Sequence, residues 1–330
     1  NILSKVYKYH MKILAIQNRM GIGDTVIFLP FIKALSQKFN SPISLLVKEN
    51  SKADQFLHQT SYIDKILFLE RDKKNNNRHS GFIGSFNLIK DIKKYNFDKI
   101  IIFNSSLRFN LIAKFAGIPK IYQYPLFQKN KQHITNTPKR FIKEKFNLDV
   151  TEDPEVQIDN VLILEAIEKF QINKDQTNIL LGIGGSGPTK RIPANIFLNL
   201  IEKLSKIKKC KFFLATGKNK EEQIILNEIL NSKFHDLCKP LDYLSIKDTL
   251  PIIKSCDLSI CNDSSFSHLS AALGIKTITL MADTPLIYGN YNSKMFPIIP
   301  DGEETVTHNT LGNKKINPQK ILNKIIEIID

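Results

Sequence analysis

An apolar run, a cluster of glycines, then a lysine–arginine pair ahead of a helix is an order of residues suited to holding a phosphate. Ile179–Pro193, ILLGIGGSGPTKRIP, has it. Gly184, Gly185 and Gly187 let main-chain N–H groups come close to a ligand, while Ser186, Thr189, Lys190 and Arg191 add donors and positive charge. The first half opens in a similar way, with ILAIQNRMGIGD at Ile13–Asp24. Two such units predict two similar domains sharing one ligand.

Three more places carry candidate chemistry. Asp24 closes the turn MGIGD before an apolar helical segment, either as a helix cap or as a carboxylate at a strand tip able to act as a general base. That turn lacks the GK[ST] of a Walker loop and the full GxGxxG dinucleotide pattern. ICNDSSFSHLSAA, Ile260–Ala272, places Asp263, Ser264 and Ser265 at the start of a helix whose first turn carries His268. Free N–H groups and the positive end of the dipole make such a start an anion receptor; capping by Asp263 or Ser264 and packing of His268 is the plainer alternative. In FLATGKNKEEQ, Phe213–Gln223, Glu221 or Glu222 is placed to accept bonds from ribose hydroxyls or simply to complement a helix dipole.

Alternating strands and helices must position these residues. Short apolar strands are expected at Lys12–Gln17, Ile43–Val47, Lys65–Leu69 and Lys99–Phe103, with helices near Thr25–Phe39, Ser51–Gln59, Phe82–Tyr95 and Leu107–Ala116. Pro30 either kinks the first helix or begins one after a short turn. Arg71–Ser80, RDKKNNNRHS, reads as a basic loop. The acidic stretch Asn147–Asp159 reads as a linker, dividing the chain into residues 1–155 and 156–330. Beyond it come a helix at Asn160–Phe170 and strands at Asn178–Ile183, Lys211–Ala215, Asp257–Cys261 and Thr277–Leu280. Helices follow at Ala194–Ile207, Lys220–Leu230, Ile246–Ser255 and Ser264–Leu273, and a last amphipathic one could pack back on the first domain. Strands without polar alternation are buried on both faces, so two doubly wound, Rossmann-like parallel-sheet domains facing a cleft are expected.

Composition narrows the classes. The 42% hydrophobic content with 24% charged residues is that of a globular protein with a substantial core, and no apolar run approaches the roughly 20 residues of a spanning helix. The opening NILSKVYKYH lacks the apolar core of a secretory signal, and MKILAIQ at Met11 reads as a natural start, which would make residues 1–10 an extension. Cysteines 210, 238, 256 and 261 have no CxxC spacing and read as buried thiols of a reducing compartment. A net charge of +15 either attracts polyanions or reflects a lysine-, asparagine- and isoleucine-rich composition.

With these blocks in order, GIGDTVIFLPFIKAL, GSGPTKRIP, NDSSFSHLSAALGIKTITL and YGNYNSK (Tyr288–Lys294), the chain resembles glycosyltransferase family 9, the ADP-heptose:lipopolysaccharide heptosyltransferases. The resemblance implies two Rossmann-like domains in the GT-B arrangement and inverting, metal-independent transfer of a sugar from a nucleotide diphosphate. ADP-heptose is the implied donor substrate, with no separate cofactor. By position it implies Asp24 as catalytic base. Ser186, Thr189, Lys190, Asp263, Ser264, Ser265 and His268 would face the donor phosphates, and Glu221 and Leu244 the nucleoside. Ile192 stands where the family often has tryptophan, and MADTP (Met281–Pro285) replaces a glycine–proline–threonine turn. A core glycan on a lipid anchor is the expected acceptor, met by Arg71, Lys73, Lys74 and Arg78. That implies a cytoplasmic protein at the inner face of the membrane, in salt-sensitive contact with anionic lipid. A sugar-nucleotide epimerase of the same fold and a non-enzymatic polyanion binder are the alternatives; no nucleic-acid module is evident.

Overall fold

The computed structural model describes residues 11–19, 21–71, 77–128 and 132–329. The proposed extension, residues 1–10, and the loop candidates Lys73 and Lys74 lie outside the described residues. The chain forms two compact units, Asn1–Glu152 and Asp153–Asp330.

The first unit runs β1 (Ile13–Ile16), α1 (Ile22–Phe39), β2 (Ile43–Lys48), α2 (Ala53–Phe56), β3 (Ile63–Leu69), α3 (Gly81–Lys93), β4 (Lys99–Ile102), α4 (Leu107–Phe115), β5 (Lys120–Gln123) and α5 (Asn136–Phe146). Its sheet is parallel in the order β3-β2-β1-β4-β5, with Ile13 level with both Ile43 and Lys99. The central strands β1 and β4 are buried along their whole length, as unalternated apolar runs require. Pro30 lies inside an unbroken α1, so no new helix begins there. The expected helix over Ser51–Gln59 is instead a 3-10 turn, Glu49–Ser51, and the single turn of α2, separated by Lys52 at φ 47°. Helix α5 docks through aromatic edges: Phe141 meets Phe103 and Tyr124, and Phe146 meets Phe39.

The second unit runs α6 (Asn160–Phe170), β6 (Thr177–Gly182), α7 (Ala194–Ile207), β7 (Cys210–Ala215), α8 (Lys220–Leu230), β8 (Cys238–Pro240), α9 (Ile246–Lys254), β9 (Leu258–Asn262), α10 (Ser265–Ala272), β10 (Thr277–Leu280), β11 (Met295–Ile298) and α11 (Pro318–Ile329). Its parallel sheet has the order β11-β10-β9-β6-β7-β8. The chain builds outward from β6 through β7 to β8, then returns to the other side of β6 at β9. The carboxyl ends of β6 and β9 are therefore neighbours from which the chain departs in opposite directions. In open α/β sheets, that is where ligands bind. The buried face of α11 (Ile321, Leu322, Ile325, Ile328) belongs to the core of this same unit, alongside α7. All four cysteines are buried free thiols; burial raises Cys238 to about 11 and Cys261 to about 12.

Candidate active site

The glycine turn leaves β6 and the start of α10 follows β9, so the two phosphate-type segments meet across one strand pair. Asn262, the last residue of β9, joins them directly. Its carboxamide donates to the carbonyls of Ile183 at 2.9 Å and Gly184 at 3.2 Å. Beside it, the Asp263 carboxylate is buried and accepts from the Lys190 ammonium at 2.8 Å. His268 lies on its other side, with Nε2 3.8 Å from Asp263 Oδ1. The opposite ring nitrogen, Nδ1, is 2.7 Å from the Tyr291 hydroxyl, and the two rings stack. With a carboxylate near Nε2, the consistent assignment has tyrosine donating to Nδ1 and the ring proton on Nε2. Tyr291 is itself steadied by its loop, where Ser293 donates to Asp153 through hydroxyl and amide.

Burial alone would raise the Asp263 carboxyl, but His268 and Lys190 outweigh it and hold the group below its ordinary value. His268 also titrates below its ordinary value, first because it is buried and then because Lys190 is near, with Asp263 opposing. At neutral pH the cluster is thus an ammonium, a carboxylate and a neutral imidazole. The half-exposed lysine sits beside the positive end of α10.

Around the turn, sequence-distant groups fix its shape. Glu222, from the first turn of α8, accepts the Gly185 amide at 2.6 Å and is buried. A Cβ on Gly217 would lie 2.2 Å from Glu222 Oε2, and one on Gly184 2.9 Å from Oε1, so both glycines make room for this carboxylate. The Thr216 hydroxyl next to Gly184, and the Asn262 carboxamide oxygen, are buried without a hydrogen-bond partner in the protein. Such atoms are ones a ligand or water can satisfy. Arg191 donates to the Gly185 carbonyl at 3.2 Å, and Asn313 bonds the Pro188 and Arg191 carbonyls. Asp283 of MADTP is raised by burial but held low overall by bonds from the Leu311 amide and the Thr189 side chain.

The structure therefore brings Thr189, Lys190, Asp263, Ser264, Ser265 and His268 to one end of the β6–β9 pair. Ser264 is the N-cap of α10, where the Ser267 hydroxyl donates to its carbonyl at 2.7 Å, and Ser265 is the first helical residue. Ser186 is exposed on the turn. Leu244 is half-buried after β8, in a turn tied to α8 by Gln223, which donates to the Gly217 carbonyl and to Asp242. Glu221 points to solvent while Glu222 is buried against the turn, so of the pair Glu222 is the residue built into this site. Asn262, Asp283, Tyr291 and Asn313 were not foreseen as site residues. Their partners lie 23 to 125 residues away, and no local spacing announces them.

In the first unit, Gly21 at φ 93° is the N-cap of α1, a conformation that favours glycine. Asp24 sits two residues past the first helical residue, half-buried, and is not the cap. Gln17, following β1, donates to its carbonyl at 3.4 Å. Of the basic-loop candidates, Arg71 is exposed, whereas Arg78 is held by both oxygens of Asp91 at 2.8 and 2.6 Å.

Residues 85–311 match the sequence profile of glycosyltransferase family 9 (heptosyltransferase), well over half of the chain. Lipopolysaccharide heptosyltransferase 1 of Campylobacter coli is 25% identical over 324 residues, covering 88% of this chain and 90% of that protein. The structure of the E. coli ADP-heptose lps heptosyltransferase II matches with a TM-score of 0.71 and 18% identity, covering 97% of this chain and 98% of that one. E. coli heptosyltransferase WaaC with ADP also gives 0.71, at 14% identity and with 96% and 99% covered. These structural likenesses carry the two-domain parallel-sheet fold, GT-B, and the profile carries the family. The chain belongs to glycosyltransferase family 9 and is a glycosyltransferase of the heptosyltransferase kind.

Proposed function

We propose that this chain transfers heptose from ADP-heptose to a lipopolysaccharide-type core acceptor, with inversion at the anomeric carbon. The observation that carries the reading is the cluster of half-exposed Lys190 with buried Asp263 and His268 at the start of α10, beside the glycine turn after β6. That place offers what a diphosphate needs: turn and helix-start amides, an ammonium, and hydroxyls from Ser264 and Ser265, with the Thr189 hydroxyl free to donate once it turns from Asp283. Ser186 would add a donor from the exposed side of the turn.

In the transfer, Asp24 removes the proton of the acceptor hydroxyl as its oxygen attacks the anomeric carbon from the face opposite the diphosphate. The C–O bond to the diphosphate breaks, and the leaving group takes the bonding pair. Lys190 and the α10 dipole stabilise the negative charge that develops there, the work a divalent cation does in other sugar transferases. Asp263 keeps the ammonium aimed, and neutral His268 adds no competing charge. Glu222 and Leu244 line the nucleoside side, with Glu222 replacing Glu221 as the acid for the ribose. The C. coli relative is named as a lipopolysaccharide enzyme and the WaaC structure contains ADP, which supports this donor and acceptor. The positive balance of the chain suits an anionic, lipid-anchored acceptor met at the inner membrane face, with Arg71 as the candidate contact.

The test is a thermal-shift panel of nucleotide sugars. A ligand that selects the folded state raises its midpoint, so ADP-heptose and ADP should raise it while UDP- and GDP-sugars do not. A shift given only by UDP-sugars would overturn the donor assignment.

A further inference from the structure

Every large apolar side chain that the first unit exposes, among the described residues, lies between positions 82 and 127. On α3, Phe82 is 80% and Ile83 76% exposed, and Phe86 makes an edge-to-face contact with Phe82 at 5.1 Å. On α4, Leu111 and Phe115 continue one exposed stripe at four-residue spacing. The turn carrying Phe127, 80% exposed, bonds back to the Ser105 carbonyl just before α4.

These residues sit on a rigid platform. Helix α3 is packed by Gly84, Leu88 and Ile92, leaving its aromatic turn outward. A Cβ on Gly84 would lie 2.2 Å from the His79 backbone carbon, so the start of α3 rests directly on that segment. Arg108 of α4 ties the two helices, donating to Ser85 Oγ at 2.9 Å and to the His79 carbonyl. The exposure is therefore a fixed feature of the surface.

The surrounding charge identifies the occupant. Residues 77–128 hold eight lysines and arginines, all but buried Lys99 at least partly exposed, against two aspartates and no glutamate. Asp91 is already engaged by Arg78 and Lys94, and Asp98 accepts the Lys12 amide. Two copies of this face would repel one another. An anionic surface would be attracted, and rigid aromatic rings beside lysines suit the boundary between headgroups and acyl chains.

We propose that the α3–α4 face docks the first unit on an anionic lipid bilayer, with Phe82, Ile83, Phe86 and Phe115 entering the headgroup region. The proposal rests on the function above only in that a lipid-anchored acceptor would be met at the same surface. It differs from purely electrostatic attraction in a measurable way, because burial of phenylalanine is not screened by salt.

The test is flotation of the full chain with phosphatidylcholine vesicles, with and without phosphatidylglycerol. Wild type and Phe82→Ser/Phe86→Ser are compared in dilute buffer and at about 1 M salt, where the Debye length is ~3 Å. Wild type should bind the anionic vesicles, keep part of that binding in high salt, and bind neutral vesicles weakly. The variant should lose about tenfold or more. Both substitutions are at exposed positions, and unchanged far-UV circular dichroism confirms that the variant folds. Transfer to a delipidated acceptor should be equal in both proteins. Flotation reads the docking even if no heptose transfer occurs, so failure of one idea leaves the other standing. Equal binding by wild type and variant, or no binding to anionic vesicles, would overturn the proposal. So would a wild-type dimer that the variant converts to monomer, which would assign the face to a second copy.

Discussion

Replacing Lys190 by methionine keeps most of the side-chain volume and removes the charge that faces Asp263. The pair is 2.8 Å apart, with the lysine side chain 25% and the aspartate 6% exposed. At an effective dielectric of ~20, unit charges at that distance attract by about 6 kcal/mol. Desolvation of the carboxylate offsets several kcal/mol of this, and the partly exposed ammonium is screened by water. A coupling of about 2 kcal/mol is left, above the 0.2–1 kcal/mol of an exposed pair and below the ~3–5 kcal/mol cost of breaking a fully enclosed one. Urea denaturation of wild type, Lys190→Met, Asp263→Asn and the double variant closes the cycle. Each single change should cost about 2–3 kcal/mol, and the double should cost less than their sum by about 2 kcal/mol. Titration calorimetry on the same proteins should show ADP binding about 10- to 100-fold weaker in Lys190→Met, the loss of one charge-assisted contact. Additivity within about 0.5 kcal/mol would refute the pairing, and unchanged ADP affinity would refute the role of the lysine.

Asp24→Asn should lower kcat by about 10²–10⁴-fold and leave ADP affinity nearly unchanged, read by steady-state kinetics with calorimetry; normal turnover would remove Asp24 from the mechanism. Gly217→Ala drives a methyl group to 2.2 Å from Glu222 Oε2, so the carboxylate must move. That carboxylate also holds the Gly185 amide of the phosphate turn, so the variant should bind both ADP and pyrophosphate at least several-fold more weakly by calorimetry, and unchanged affinity for pyrophosphate would contradict the role of Glu222 in shaping the turn. Asp263 and His268 both titrate below their ordinary values of 3.8 and 6.5, so the unfolded chain takes up protons before the native state does. Their contribution to stability is complete above pH 6.5 and is lost as pH falls, first through His268 and then through Asp263. Urea midpoints measured against pH should therefore show wild type losing its lead over His268→Gln on acidification below 6.5. A lead that grows there would mean the imidazole is charged in the native state.

Much of the scaffold was legible because its central strands are apolar on both faces. β1, β2, β4, β6, β7, β9 and β10 stand within one or two residues of where unalternated apolar runs place them. The strands that were missed, β5, β8 and β11, all lie at sheet edges. These three are only three or four residues long and carry Lys120, Pro240 and Pro297, which hides the pattern, whereas the remaining edge strand, β3, runs seven residues and was legible. Helix α5 was hidden similarly, since its buried Phe141, Ile142 and Phe146 are interleaved with lysines and arginine behind Pro138. In the site, the glycine turn and the Asp–Ser–Ser helix start announced themselves through residue type. The glycines proved to have a second reason, since Gly184 and Gly217 clear space for Glu222 from another helix. Choosing Glu222 over Glu221 depends on which carboxylate turns inward, and that is set by tertiary packing. The stacking of Tyr291 on His268 joins residues from separate strand ends and leaves no trace in local spacing.

The most direct measurement is transfer itself: purified protein incubated with ADP-heptose and a lipopolysaccharide inner-core acceptor, the products analysed by mass spectrometry and NMR. One heptose should be added per acceptor, in the anomeric configuration opposite to that of the donor, with stoichiometric release of ADP. Donor left intact beside a competent acceptor, retention of configuration, or conversion of ADP-heptose without acceptor would contradict the account.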